Sequence, residues 1–266
     1  MPAAGRQRYL ESTPPAGVRA RGALLLLHAF PLNARMWERQ LALAAGGWRV
    51  IAPQLRGFDG GATDPAAAAI DDYAGDVIDL LDALHVDEAV VGGLSMGGYI
   101  AFGILRHAAR YVHALVLADT KAEADSPEAV EGRKRLIALA RDKGPPAIAD
   151  DMIPKLLGET TRRERPAVVE QVRALVLSSS TEAITAAIGA LMTRPDSTPL
   201  LPTIHVPTLI LVGEEDTVTP PAAAEGMHHA IAGSELVRIP RAGHLANLEQ
   251  PDLFDAALAR FLAHRV

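Results

Sequence analysis

Glu88-Ala-Val-Val-Gly-Gly-Leu-Ser-Met-Gly-Gly98 joins a strand to a helix within a few residues. Glu88 to Leu94 is an apolar run of strand length with adjacent valines, the pattern of a strand covered on both faces. It passes through Gly93-Leu94-Ser95-Met96-Gly97 into Tyr99 to Ala109, where apolar residues recur at the helical period. A serine in such a turn is held up and out of the backbone, on strained dihedrals. Its neighbours two residues away, Gly93 and Gly97, must then lack a Cβ to avoid collision, and Gly98 keeps the helix start uncrowded. With 22 glycines and eight serines in 266 residues, a shuffled chain would show G-x-S-x-G about 0.05 times. The bare motif is therefore a hypothesis, set against an ordinary glycine-rich turn, and the strand before and helix after give it weight.

Similar short runs lie on either side: Ala23 to Leu27, Arg49 to Leu55, His113 to Ala118, Thr208 to Val212 and Glu235 to Ile239. They read as buried parallel strands, with Ile70 to Leu84 and Tyr99 to Ala109 as crossover helices, which makes an α/β fold. The rhythm stops after Asp119 and resumes at Thr208. Between them the apolar spacing is helical, and Pro195, Pro199, Pro202 and Pro207 crowd the return, so residues 120–205 are expected to form a helical cap inserted into a single domain spanning 1–266. Gln250 to His264 reads as a last helix, with Pro251 in its first turn. The run Ala66 to Ala69 is too short to count as low complexity, and no solenoid repeat is present.

A serine hydroxyl is a poor nucleophile at neutral pH, so Ser95 needs a base and an acid to orient that base. Leu209 to Val212 runs into Gly213-Glu214-Glu215-Asp216, and Val237 to Ile239 into Arg241-Ala242-Gly243-His244. Both stretches end at the carboxyl edge of a strand, where open α/β sheets keep their sites. Ser95, Asp216 and His244 follow in that order, at separations of 121 and 28 residues. Asp216 is preferred as the acid because Thr219 and Pro220 just after it read as a helix cap and first turn. Glu214 and Glu215 are expected to face solvent, and Asp119 is the competitor. His244 alone would read as a surface-loop histidine; its place after a strand end and a glycine argues for the base.

Acyl transfer also requires two N–H donors for an oxyanion. The residue after the nucleophile, Met96, supplies one, and the loop His28-Ala29-Phe30-Pro31 after an early strand is expected to supply the second from the Phe30 backbone. His28 reads as a residue that fixes this loop, and Trp37 as a side chain near the nucleophile that could contact substrate.

Composition excludes several other classes. A net charge of −6, with no basic stripe interleaved with aromatics, argues against a nucleic-acid partner. The absence of cysteine removes disulfides, thiolate metal sites and cysteine nucleophiles, and fits a reducing compartment. Met1 to Pro15 lacks a signal-peptide core, and the longest apolar run, about five residues, is far below the ~18 of a membrane span, so a cytoplasmic location is expected. His228 and His229 are adjacent rather than four apart, so no metal site is expected. No phosphate loop or dinucleotide fingerprint occurs, and no cofactor is expected. Self-association into a homo-oligomer stays open.

Together, His28-Ala29-Phe30-Pro31, Asn33 to Trp37, Arg56-Gly57-Phe58, Gly93 to Gly98 and Gly243-His244 resemble the α/β-hydrolase superfamily, from about Ala23 to Phe261. The bacterial branch they resemble includes 3-oxoadipate enol-lactonases, small carboxylesterases and cofactor-free haloperoxidases. The resemblance implies a mostly parallel eight-stranded sheet with a helical cap after the sixth strand, Ser95, Asp216 and His244 as the triad, and Phe30 and Met96 as oxyanion donors. Ala29 stands where a glycine is common, and Gln54 with Asp59 departs from a common Asp-x-Arg-Gly-x-Gly loop.

The expected substrate is a small-molecule ester or lactone. Residues 120–205 contain no Phe, Tyr or Trp, which suggests an aliphatic pocket, although aromatics are only 4% of the chain. Alternatives are perhydrolysis without a cofactor, carbon–carbon bond hydrolysis at the same triad, and a non-catalytic ligand-binding protein on the same fold.

Overall fold

Leu24 to Leu27 are fully buried, because the strand they form is hydrogen-bonded on both edges and covered on both faces. The computed structural model describes residues 8–58 and 69–266; the sequence readings of residues 1–7, of Asp59 and of Ala66 to Ala68 lie outside these. Among the described residues, seven strands form one sheet: β1 (Tyr9–Ser12), β2 (Gly22–Leu27), β3 (Trp48–Pro53), β4 (Ala89–Leu94), β5 (Val112–Ala118), β6 (Thr208–Gly213) and β7 (Glu235–Ile239). Their order is β1-β3-β2-β4-β5-β6-β7, with every neighbour parallel except β1, which runs antiparallel to β3. The chain therefore turns back across β2 between β3 and β4, and such a crossing opens a crevice beyond the carboxyl ends of β2 and β4.

The helices are α1 (Ile70–Ala83), α2 (Met96–Ala108), α3 (Pro127–Leu156), α4 (Glu159–Glu164), α5 (Pro166–Leu177), α6 (Thr181–Met192), α7 (Pro221–Ala230), α8 (Ala246–Glu249) and α9 (Pro251–His264). The first two begin and end close to their apolar periodicity, and each buries that face. Helices α3 to α6 all lie between β5 and β6. Within α3 the helix breaks at Gly144, whose φ of 70° is followed by Pro145 and Pro146, residues that cannot continue an α-helical ladder. The start and end of this insert meet at one place. Asp125 and Arg194, whose side chains are both hidden, pair at 2.7 Å, and the Ser197 N–H donates to the Ala122 carbonyl at 2.9 Å. The Arg194 guanidinium also lies over the Tyr99 ring, 4.3 Å from its centroid.

The architecture is the expected α/β class, with two corrections. The sheet has seven strands among the described residues, not eight, and the insert follows the fifth strand, not the sixth. The reason lies between β1 and β2. Residues 13–21 form no strand, because Pro14 and Pro15 lack ladder donors and the chain turns at Gly17, with a φ of 86°. No single helix among the described residues is long and apolar enough to cross a membrane.

Candidate active site

The site grows from the turn between β4 and α2. Ser95 adopts φ 54° and ψ −112°, a strained conformation for a residue with a Cβ. It is held there by hydrogen bonds on both sides: its N–H donates to Ala118 O at 3.0 Å, and its carbonyl accepts from Thr120 Oγ1 at 2.9 Å. The two glycines around it have no room for a side chain. A Cβ at Gly93 would lie 2.2 Å from the Gly97 carbonyl, and one at Gly97 would lie 2.1 Å from Leu27 O. This close packing draws the elbow against the end of β2.

Two further strand ends meet the serine. Ser95 Oγ lies 2.8 Å from His244 Nε2, and His244 Nδ1 lies 2.8 Å from Asp216 Oδ2. The network assigns the tautomer: the Nδ1–H donates to the carboxylate, and Nε2 is left to accept the serine proton. The acid is fixed in turn. Asp216 Oδ1 accepts from Val218 N at 2.7 Å and Thr219 N at 2.9 Å, and its Oδ2 accepts from Thr219 Oγ1 at 2.7 Å. Thus Thr219 is not a helix cap; α7 starts at Pro221, and the hydroxyl is spent on the acid. All three side chains are buried, Ser95 being 8% exposed.

Electrostatics follow from this burial. Burial opposes charge on the His244 imidazole, but the Asp216 carboxylate against Nδ1 outweighs it, with Asp119 and Glu249 adding to the effect, and the net pKa is raised. Burial likewise opposes the Asp216 carboxylate, while His244 and the Thr219 donors hold its pKa below the usual value. The rival acid, Asp119, is fully buried near His244 but spends its oxygens on backbone rather than on the imidazole. Its two oxygens accept from Gly213 N at 2.8 Å and Ala246 N at 3.1 Å, tying the end of β6 to the segment after His244. Burial and the adjacent Asp216 push its carboxyl up to about 8.

Beyond β2, His28 spends both ring nitrogens on backbone: Nδ1 donates to Ala29 O at 3.1 Å, and Nε2 accepts from Leu55 N at 3.2 Å. Burial lowers its pKa to about 4, so it is neutral. The backbone N–H groups of Phe30 and Met96 have no acceptor among the described residues, which leaves both available to a bound oxygen. Trp37 is buried with its ring tilted against Phe254 of α9, centroids 6.0 Å apart. Glu214 is exposed, whereas Glu215 is not turned to solvent: it accepts from Thr160 N at 2.9 Å and Thr160 Oγ1 at 2.5 Å.

Three residues to which the sequence reading assigns no part in the site carry much of this geometry: Thr219, expected only as a helix cap, Thr120 and Glu249. The last is a fully buried acid in the otherwise uncharged stretch Leu245-Ala246-Asn247-Leu248, the one signal that could have singled it out.

A strand–serine–helix elbow facing a histidine and an acid on neighbouring strand ends is the arrangement of a hydrolase. A family model described as the alpha/beta hydrolase family matches residues 24–257, and the chain belongs to that family. Among solved structures it is similar to a thermophilic esterase from Thermogutta terrifontis, at 40% identity and a TM-score of 0.90, covering 97% of this chain and 93% of that one. Among curated proteins it is 28% identical over 242 residues to 3-oxoadipate enol-lactonase 2 of Acinetobacter baylyi, covering 91% of this chain and 89% of the relative. It is also 30% identical over 258 residues to a putative non-heme chloroperoxidase of Synechocystis, covering 90% of each.

Proposed function

We propose that this protein, an α/β hydrolase acting on ester bonds, cleaves small or aliphatic carboxylic esters or lactones through an acyl-enzyme on Ser95. The observation that carries the reading is the unbroken chain of hydrogen bonds from Ser95 Oγ through His244 to Asp216. In this mechanism Ser95 Oγ attacks the substrate carbonyl as its proton passes to His244 Nε2, and Asp216 steadies the imidazolium. The oxygen that becomes negative is held by the N–H groups of Phe30 and Met96. His244 then protonates the leaving alkoxide, and a water deprotonated by the same nitrogen releases the acid. In a lactone the leaving alkoxide stays on the acyl chain, so a single ring-opened product forms.

The helices between β5 and β6 act as a cap over this site. Their lack of aromatic side chains supports an aliphatic acyl pocket, and the esterase and enol-lactonase relatives support the ester or lactone class. Trp37, buried against Phe254, is the side chain this reading places next to the acyl group. The test is hydrolysis of p-nitrophenyl acetate, p-nitrophenyl butyrate and an enol-lactone by wild type and Ser95→Ala. Turnover lost in the variant supports the reading, and the chain-length ratio sizes the pocket. Equal rates in both proteins, or tight binding without turnover, would reject it in favour of a ligand-binding role. The chloroperoxidase relative favours perhydrolysis as a second reading, which is tested by adding hydrogen peroxide and a carboxylic acid to the same assay and measuring peracid.

A further inference from the structure

Glu249 is a fully buried carboxylate that no step of the proposed mechanism uses. Its Oε1 accepts from Gly243 N at 2.9 Å and Leu245 N at 3.1 Å, the residues immediately before and after His244. Its Oε2 accepts from Gly158 N at 2.8 Å, in the corner between α3 and α4. The same corner makes two more contacts with the site. Leu156 O accepts from the His244 N–H at 3.0 Å, and Thr160 donates to Glu215, the residue before Asp216. The surfaces meet backbone to backbone: a Cβ on Gly243 would lie 2.3 Å from Gly158 N, and one on Gly158 would lie 2.9 Å from Gly243 N.

A buried carboxylate with no cation on its oxygens is costly, and burial raises the Glu249 pKa, while the Thr161 side chain and backbone donors from two separate elements favour its charged form. Such a group orders both elements at once, because moving either leaves the charge unpaired. We propose that Glu249 is a positioning residue for His244, and that through it the corner 156–161 of the insert forms part of the apparatus that aligns the base. The inference rests on the serine-hydrolase reading of the site. It assigns the corner a fixed role: the insert can shift to admit substrate elsewhere, but not at residues 156–161 without misaligning the histidine.

Among the described residues, the groups around His244 are Asp216 and the Thr219 hydroxyl after β6, the latter 3.2 Å from Nδ1, Asp119 after β5, Ser95 in the elbow and Glu249 in α8, and from α3 the Leu156 carbonyl accepts from its N–H. Arg165, before α5, donates to the backbone carbonyl of Glu249 and not to its carboxylate. Removing the negative charge at 249 therefore withdraws support from the imidazolium.

Glu249→Gln keeps the shape while removing the charge and one acceptor. Per active site titrated with a fluorophosphonate, its kcat is expected to fall about ten- to a hundredfold, the scale of a misplaced catalytic group, with KM nearly unchanged. The acid limb of kcat/KM is expected to move to lower pH. A residue that merely held the fold together would lower the melting temperature and the titratable fraction without moving that limb. Wild-type kcat per site with an unmoved limb would overturn the proposal. A wild type that neither reacts with the fluorophosphonate at Ser95 nor turns over any ester would instead overturn the hydrolase reading. Should the variant not fold, hydrogen exchange in the wild type decides the matter. Gly158, Gly243 and Leu245 amides are expected to exchange at a common slow rate, and a freely exchanging Gly158 beside protected Gly243 and Leu245 would overturn it.

Discussion

Ser95 keeps a positive φ because its neighbours leave the chain no alternative, and the glycines on either side carry the consequence. Gly97→Ala would drive a Cβ to 2.1 Å from the Leu27 carbonyl, a backbone atom that cannot swing aside. The variant is expected to lose more than about 3 kcal/mol, the range of severe strain and overpacking, and to be recovered largely unfolded, as read by chemical denaturation. The acid is tested more gently. Asp216→Asn preserves shape but presents an amide to His244 Nδ1, favouring the wrong tautomer, so kcat is expected to fall about 10³- to 10⁴-fold. Near-normal turnover would transfer the acid's role to Asp119. The meeting of Ser95, His244 and Asp216 was legible because each stands at a strand end marked by glycine or proline. Thr219 and Glu249 were not, because their roles depend on which buried donors or acceptors reach them, and spacing along one chain does not reveal that.

At the scale of elements, the insert is closed at its base by a buried charge. Asp125 and Arg194 are each about as hidden as the core leucines, and Arg133 also donates to Asp125. Breaking such a pair from one side leaves the other ion stranded. Asp125→Ala is expected to cost about 3–5 kcal/mol of stability, seen as a lower denaturant midpoint, and Asp125→Ala with Arg194→Met is expected to recover much of it. If the single variant is no less stable, the pair contributes nothing to holding the insert. The helical content of this region was legible from its apolar spacing. The break at Gly144 is also written in the sequence, as Gly144-Pro145-Pro146, whereas the contacts of the corner at Gly158 were not legible, because Glu215 looks like one more acid on a loop.

Across the whole molecule, stability and proposed activity should move in opposite directions with pH. Above about 6.5, His28, held neutral with a pKa near 4, has already given its full contribution, as have the depressed carboxylates Asp71, Asp125 and Asp216. The groups held above their unfolded values are Asp119, raised to about 8, His244 and Glu249, both also raised, so the folded state binds more protons than the unfolded one. Their contribution is therefore complete at low pH and is lost as pH rises through the folded values. Melting temperature is expected to fall between about pH 6.5 and 8 while kcat/KM rises as His244 loses its proton; a melting temperature that climbs over this window would contradict the assignment. The sheet itself was read well wherever strands are long, apolar and central. The four-residue β1 escaped notice, because a half-exposed edge strand carries almost no pattern, and the count of eight came from likeness to relatives. The meeting of Asp125 with Arg194, and of Ala122 with Ser197, means that the chain leaves the sheet and returns to it at a single point. Such a loop can be traded during evolution as a cassette, changing which molecules are admitted while the chemistry beneath stays as it was. Any cassette accepted here would inherit one obligation, a glycine and a threonine at the corner that touches the two loops carrying Asp216 and His244.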